Sequence, residues 1–220
     1  MRLLYIHPDH FPLEILDLME RDKRFLPYFD IPFQHASQKI LTAMNRRGTA
    51  EKYLELISTI RVRLPNAVIR STFLLGFPGE TEEDFAALMD FQQKAGLDWL
   101  GCFTYSREEG TAAFSMKGQV PAKIAQARKQ TIEERQMPIT EKNMERFAGL
   151  ALDVLIEEQF ISESEKNDEN LWLGRLYCQA PEIDGAAVIV SEKDANDLQP
   201  GTMTPCKIIA RRGFDLEVRV

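Results

Sequence analysis

Several positions along this chain hold residues whose type and placement suit chemistry. Gln34 and His35 follow a strand-like run, Tyr28–Phe33. A polar pair at a strand's end can hydrogen-bond a ribose or a carboxylate; it can equally be a satisfied pair opening a loop. Gly76, Pro78 and Gly79 close a second run, Val68–Leu75, just before a helix start. Glycines let backbone approach a ligand and a helix N-terminus offers unpaired N–H groups, although many loops use such residues merely to turn. Arg70 lies inside that apolar run, where an unpaired guanidinium is costly. It therefore requires an anionic partner, and a ligand carboxylate or a structural Asp or Glu would serve. Arg46 and Arg47 end one helix, and Glu80, Glu82, Glu83 and Asp84 open another. The helix dipole explains both groups, and no residue is assigned to catalysis.

The elements that must position these residues alternate between two periods. Arg2–His7, Tyr28–Phe33, Val68–Leu75 and Trp99–Tyr105 read as strands. Between them, Leu13–Glu20 reads as a helix with Leu13, Leu16 and Met19 inward. Ser37 caps a helix bearing Ile40, Leu41 and Met44, closed by Gly48. Thr49 caps another whose inward stripe is Tyr53, Leu56, Ile57, Ile60 and Leu64. Thr81 with Asp84 three residues on gives a capping-box start for a helix that buries Phe85, Leu88, Met89 and the stem of Gln92. Strand and helix alternating without hairpin signals means parallel βα units, whose ligands sit at the strands' C-terminal ends. Pro121 opens a helix over Ala122–Met137, and Pro138 should break or kink it. The pattern then changes. Leu150–Glu157, Leu171–Leu176, Ala186–Val190, Thr204–Ala210 and Phe214–Val220 read as five short strands with a turn at Arg212-Gly213, which makes a small β-barrel. A domain boundary is expected near residue 148.

Composition narrows the field. No apolar run approaches the roughly 20 residues that span a bilayer, and the first residues lack the pattern of a signal peptide. Cys102, Cys178 and Cys206 are odd in number and far apart, so they form neither a disulfide framework nor a paired-cysteine metal site; they read as idle thiols of a reducing cytoplasm. Residues 149–220 hold seven Lys and Arg against fourteen Asp and Glu, so the whole excess of −7 sits there and residues 1–148 are neutral. An acidic segment repels phosphate backbones and attracts basic partners.

Three segments read in order carry a family resemblance: YFDIPFQHAS with KILTAMNRR (Tyr28–Ser37, Lys39–Arg47), IRSTFLLGFPGETEEDF (Ile69–Phe85) and GLDWLGCFTYSREEGTAA (Gly96–Ala113). Together they resemble the later strands and loops of the radical S-adenosylmethionine (SAM) methylthiotransferases. GRLYCQAPEIDG (Gly174–Gly185) resembles that family's C-terminal TRAM domain. The resemblance implies an α/β fold: the last four βα units of a TIM-like barrel, residues 1–148, then an acidic five-stranded TRAM-like barrel, residues 149–220, that docks the substrate. It implies that Gln34 lies near the SAM ribose, that Leu75, Gly76 and Phe77 pack along the adenine, and that Arg70 serves the methionyl carboxylate.

The family uses SAM and two 4Fe–4S clusters. Cluster iron requires thiolates, and both the CxxxCxxC set and the second cysteine set are absent from this chain, which reads as a partial one, inactive by itself. In the whole enzyme, SAM would be cleaved to a radical that takes hydrogen from an aspartate β-carbon, and the second cluster would supply the methylated sulfur. His35 and the acidic tail resemble the branch that acts on a basic small-subunit ribosomal protein, S-twelve, rather than the branch that acts on tRNA. RNA binding by the TRAM-like part is not expected, unless Lys207, Arg211, Arg212 and Arg219 form one basic stripe. No membrane partner is expected, and Leu3–Ile6 should self-associate as a bare strand edge. Two other readings are a non-catalytic docking module and an unrelated barrel enzyme using Asp30, His35 or Glu80 as acid and base; for the latter, no nucleophile–base pair recurs at the strand ends.

Overall fold

The computed structural model describes residues 1–160, 169–192 and 198–220. The chain divides into two compact units, Met1–Ile139 and Thr140–Val220. The first unit contains α1 (Glu14–Arg21), β1 (Tyr28–Asp30), α2 (Gln38–Ala43), α3 (Ala50–Arg63), β2 (Val68–Leu75), α4 (Glu82–Ala95) and β3 (Trp99–Thr104), and the long α5 (Ala122–Glu145) follows. The three strands form one parallel sheet in the order β1-β2-β3. Alternation along β2 separates its faces: Ile69, Ser71, Phe73 and Leu75 are buried, while Arg70, Thr72 and Leu74 are half-buried.

The buried face meets the helices. Tyr53, Ile57 and Ile60 of α3 and Leu88 and Phe91 of α4 join Ile69, Phe73 and Leu75 in one core. Phe33 packs 4.8 Å from the Tyr53 ring and edge-on to Phe91 at 5.6 Å. Removing a side chain such as Phe91 from this cluster would cost about 3–5 kcal/mol. The capping box forms as its sequence predicts: the Thr81 hydroxyl accepts the Asp84 N–H and the Asp84 carboxylate accepts the Thr81 N–H.

Four local expectations are corrected. Arg2–His7 is no strand: Leu3 bridges β1 at Phe29 and the Ile6 N–H donates to the Asp30 carbonyl at 2.9 Å, but Tyr5 between them adopts a left-handed backbone (φ 60°) that interrupts the ladder. Leu13 lies before α1 and is exposed. The helix after Ser37 ends at Ala43, followed by left-handed Asn45, rather than at Gly48. Gly48 has a different reason to be glycine, since a Cβ there would lie 2.1 Å from the Tyr53 ring. Finally, α5 runs through Pro138, although the division between the units falls one residue later.

In the second unit β4 (Ala151–Phe160), β5 (Glu169–Arg175), β6 (Ala187–Glu192), β7 (Met203–Arg212) and β8 (Asp215–Arg219) close into a barrel in the order β4-β5-β6-β8-β7. Val154, Ile156, Ile189, Ile208, Leu216 and Val218 fill its interior without exposure. Among the described residues no helix is long and apolar enough to cross a membrane.

Candidate functional site

The C-terminal ends of the parallel strands bring part of the predicted set together. Gln34 follows β1 in a left-handed conformation (φ 69°), uncommon for a residue with a side chain, and a sign of a constrained position. Its N–H donates to the Thr72 carbonyl and its carbonyl accepts from Leu74, both at 2.8 Å. It is thereby fixed beside the end of β2, where Leu75, Gly76 and Phe77 follow. Leu75 is fully buried in the core. Phe77 packs edge-on to Tyr105 at 5.5 Å, and the Tyr105 hydroxyl is buried without a hydrogen-bond partner.

Arg70 stands apart. Five residues before the end of β2, it lies roughly 16 Å from Leu75 along the strand. Its guanidinium meets Asp30, directly opposite on β1, at 3.2 Å. The anionic partner that an arginine in an apolar strand requires is therefore provided by the fold.

The loop Gly76–Gly79 is tied from beneath. Glu80 is buried, and its Oε2 accepts the N–H groups of Gly76 (2.7 Å) and Phe77 (3.3 Å). Its Oε1 accepts from Arg128 Nη1 at 2.8 Å. Arg128 also donates through Nη2 to Glu82 at 2.6 Å and lies over the Phe85 ring. Burial raises the Glu80 pKa above the ordinary carboxylate value, opposed by the Gly76 N–H and by Arg128. Gly79 donates to the Gly118 carbonyl at 2.8 Å. The amides of Gly76, Phe77 and Gly79 are thus already engaged.

His35 is fully buried behind Glu80. Its Nδ1 accepts the Ser37 N–H at 2.9 Å, which places the proton on Nε2, 3.8 Å from Glu80 Oε2. That separation is too long for a hydrogen bond, and it is no ion pair because burial drops the imidazole to about 4 and keeps it neutral. Asp84, in contrast, is held well below the usual carboxylate range: burial pushes it up, but hydrogen bonds from Lys39, Ser37 and Thr81 outweigh that. The acid–base reading finds His35 and Glu80 side by side, but both are sealed from substrate and Asp30 is taken by Arg70. Sequence reasoning missed Arg128, a buried arginine inside α5. The signal was available in Glu80, which precedes the N-cap and so is not explained by the helix dipole.

Residues 2–91 match the model of the radical SAM superfamily, and residues 148–220 match that of the TRAM domain. The chain thus carries a radical SAM segment followed by a TRAM domain. Curated relatives extend this along its length. A protein named ribosomal protein uS12 methylthiotransferase RimO from Treponema denticola is 50% identical over 229 residues, covering 99% of this chain and 48% of the relative. Relatives of the same name from Pseudothermotoga lettingae (41% identical; 89% of this chain, 44% of the relative) and Chromobacterium violaceum (43%; 98% and 47%) agree. The chain spans about half the length of the curated relatives it matches.

Two cofactor types belong to this superfamily. Iron–sulfur clusters do not fit the residues present. Among the described residues no group of His, Cys, Asp and Glu could hold a metal, and burial raises the Cys102 and Cys206 thiols to about 12 and about 11, away from the thiolate that iron needs. For SAM, the polar groups near the strand ends are the half-buried Gln34 and the unpartnered Tyr105 hydroxyl, the latter beside the buried Phe77 ring, and a SAM site there would draw on them.

Proposed function

We propose that this chain supplies the SAM-seating strand ends and the docking barrel of a methylthiotransferase acting on a small-subunit ribosomal protein. The carrying observation is 50% identity, over 99% of the chain, to a protein named for that reaction. In this reading Gln34 faces the ribose, Gly76 and Phe77 line the adenine, and Leu75 anchors their loop from the core. Arg70, neutralised by Asp30, holds the sheet together, and any contact with the methionyl carboxylate would have to share its guanidinium. When bound, SAM supplies the reactive group, and these residues bind and orient it. The acidic barrel, residues 149–220, takes the basic protein, with residues 1–148 forming the barrel portion.

The charges on the small barrel favour protein over tRNA. Arg211 lies near Glu141 and Glu145, at 3.6 and 3.4 Å, and Arg212 pairs with Glu217 at 2.5 Å, so two members of the would-be basic stripe are already engaged. The chain is expected to bind the basic ribosomal protein with an affinity that falls as salt rises, and to leave tRNA unbound, in fluorescence anisotropy at about 50 and about 200 mM salt. Tight tRNA binding with no affinity for the protein would overturn the choice. A full-length chain that leaves the ribosomal protein's mass unchanged would overturn the reaction.

Because the thiols here do not suit cluster binding, a docking module without its own chemistry is the second reading. It predicts ribosomal-protein binding with no SAM affinity even in the full-length chain. A further expected outcome concerns the exposed start of the sheet, where Leu4 and Tyr5 are 45% and 81% exposed. Light scattering of the 220-residue chain should show a concentration-dependent dimer through the exposed Leu4 and Tyr5 side chains within Leu3–Ile6, which Leu4→Lys abolishes. A clean monomer at high concentration would count against it.

A further inference from the structure

We infer that Glu80 and Arg128 are positioning residues that hold the Gly76–Gly79 loop in the shape that receives SAM, a role resting on the assignment of SAM to this loop. Both oxygens of the Glu80 carboxylate are committed. Oε2 gathers the Gly76 and Phe77 amides, and Oε1 meets Arg128, 48 residues away in the chain. A helix dipole alone needs no such burial: Glu83, in the first turn of α4, meets the same dipole while exposed. Burying a carboxylate is costly unless it is paired and hydrogen-bonded, and at Glu80 every compensating bond leads either to the loop or to α5.

Arg128 suits this task by its shape. One nitrogen takes Glu80, the other takes Glu82, and its plane lies 5.4 Å from the Phe85 ring centre. A lysine would match the charge but not the fork. His35 closes a further side of the carboxylate. Being neutral, it does not compete with Arg128 for Glu80. The far end of the loop is fixed by the Gly79 bond to Gly118. With two of its amides turned inward to Glu80, the loop leaves the half-buried Gln34 and Tyr105, backed by the buried Phe77 ring, to meet a ligand. A rigid seat of this kind needs little ordering when SAM binds.

The test reads the loop directly and SAM separately. Residue-resolved amide exchange on the 220-residue chain compares wild type with Arg128→Met, Arg128→Lys and the isosteric Glu80→Gln. Gly76 and Phe77 should exchange about tenfold or more faster in Arg128→Met and Glu80→Gln, as expected for loss of charge-assisted bonds, while the amides of α3 stay unchanged. Arg128→Lys should restore part of the protection. In the reconstituted full-length protein, equilibrium dialysis should show SAM affinity falling about tenfold in the same two variants. Unaltered exchange at Gly76 and Phe77 overturns the inference, and so does a loosened loop with undiminished SAM affinity, since the pair would then merely brace the fold. A full-length wild type that binds no SAM is a different failure: it removes the assignment of SAM to the loop, whatever the exchange shows.

Discussion

Gly76→Ala will destabilise the first unit by about 3 kcal/mol and abolish measurable SAM binding by the full-length protein. Two separate costs add. Gly76 has φ 77°, and a left-handed residue with a Cβ costs roughly 1–2 kcal/mol. The new methyl would also lie 2.4 Å from the Cβ of Ala125 on α5, and forcing such overlap costs about 1–3 kcal/mol. Gly79 provides the control: its φ is 86°, but nothing lies within 4 Å of its would-be Cβ, so Gly79→Ala should show the backbone cost alone, about 1 kcal/mol. Urea midpoints of the two variants decide the matter. The double variant Gly76→Ala with Ala125→Gly should recover the packing part but not the backbone part. Equal losses at Gly76 and Gly79 would mean that the contact with α5 plays no role in seating the loop.

How far the sequence foretold these features depended on how local their causes are. The stripe Tyr53, Ile57 and Ile60 follows from helical periodicity and is buried as expected. The Thr81–Asp84 box spans three residues, and it forms. The small barrel's five strands lie within a few residues of their expected bounds, because alternation and turn residues are written into each strand. Arg70 shows an intermediate case. Its need for an anion was legible, but the identity of that anion depended on the register that sets Asp30 opposite it.

What escaped the sequence is non-local. Glu80 looks like one more acid at a helix start until the fold brings Arg128 from α5 and His35 from the segment between β1 and α2 against it. No period or motif joins residues 35, 80 and 128. Gly48 misled for the same reason: a glycine after a helix suggests a cap, whereas its actual constraint is the ring of Tyr53. The strand expected at Arg2–His7 failed on one backbone angle, at Tyr5, which apolar patterning does not encode.

His35 should make stability fall with acid, by about 3 kcal/mol in total. Burial lowers its pKa from 6.5 to about 4, so on acidification the unfolded chain takes up a proton that the folded chain refuses. The stabilisation is therefore complete above about pH 6.5 and is lost progressively down to about pH 4, each tenfold difference in proton affinity between the two states being worth about 1.4 kcal/mol. The groups around the ring set the balance. Burial outweighs the rest; Asp84 favours the imidazolium, while Arg128 and Lys39 oppose it. Glu80 acts with the opposite sign. Its raised pKa lets the folded chain bind a proton before the unfolded one does, returning some stability as pH falls. The histidine's share is isolated by His35→Gln, whose side-chain oxygen can still accept the Ser37 N–H. Between about pH 7 and about pH 5 the wild type should lose about 2 kcal/mol more than this variant in urea unfolding. Parallel pH slopes would show that the buried imidazole is not the group that titrates.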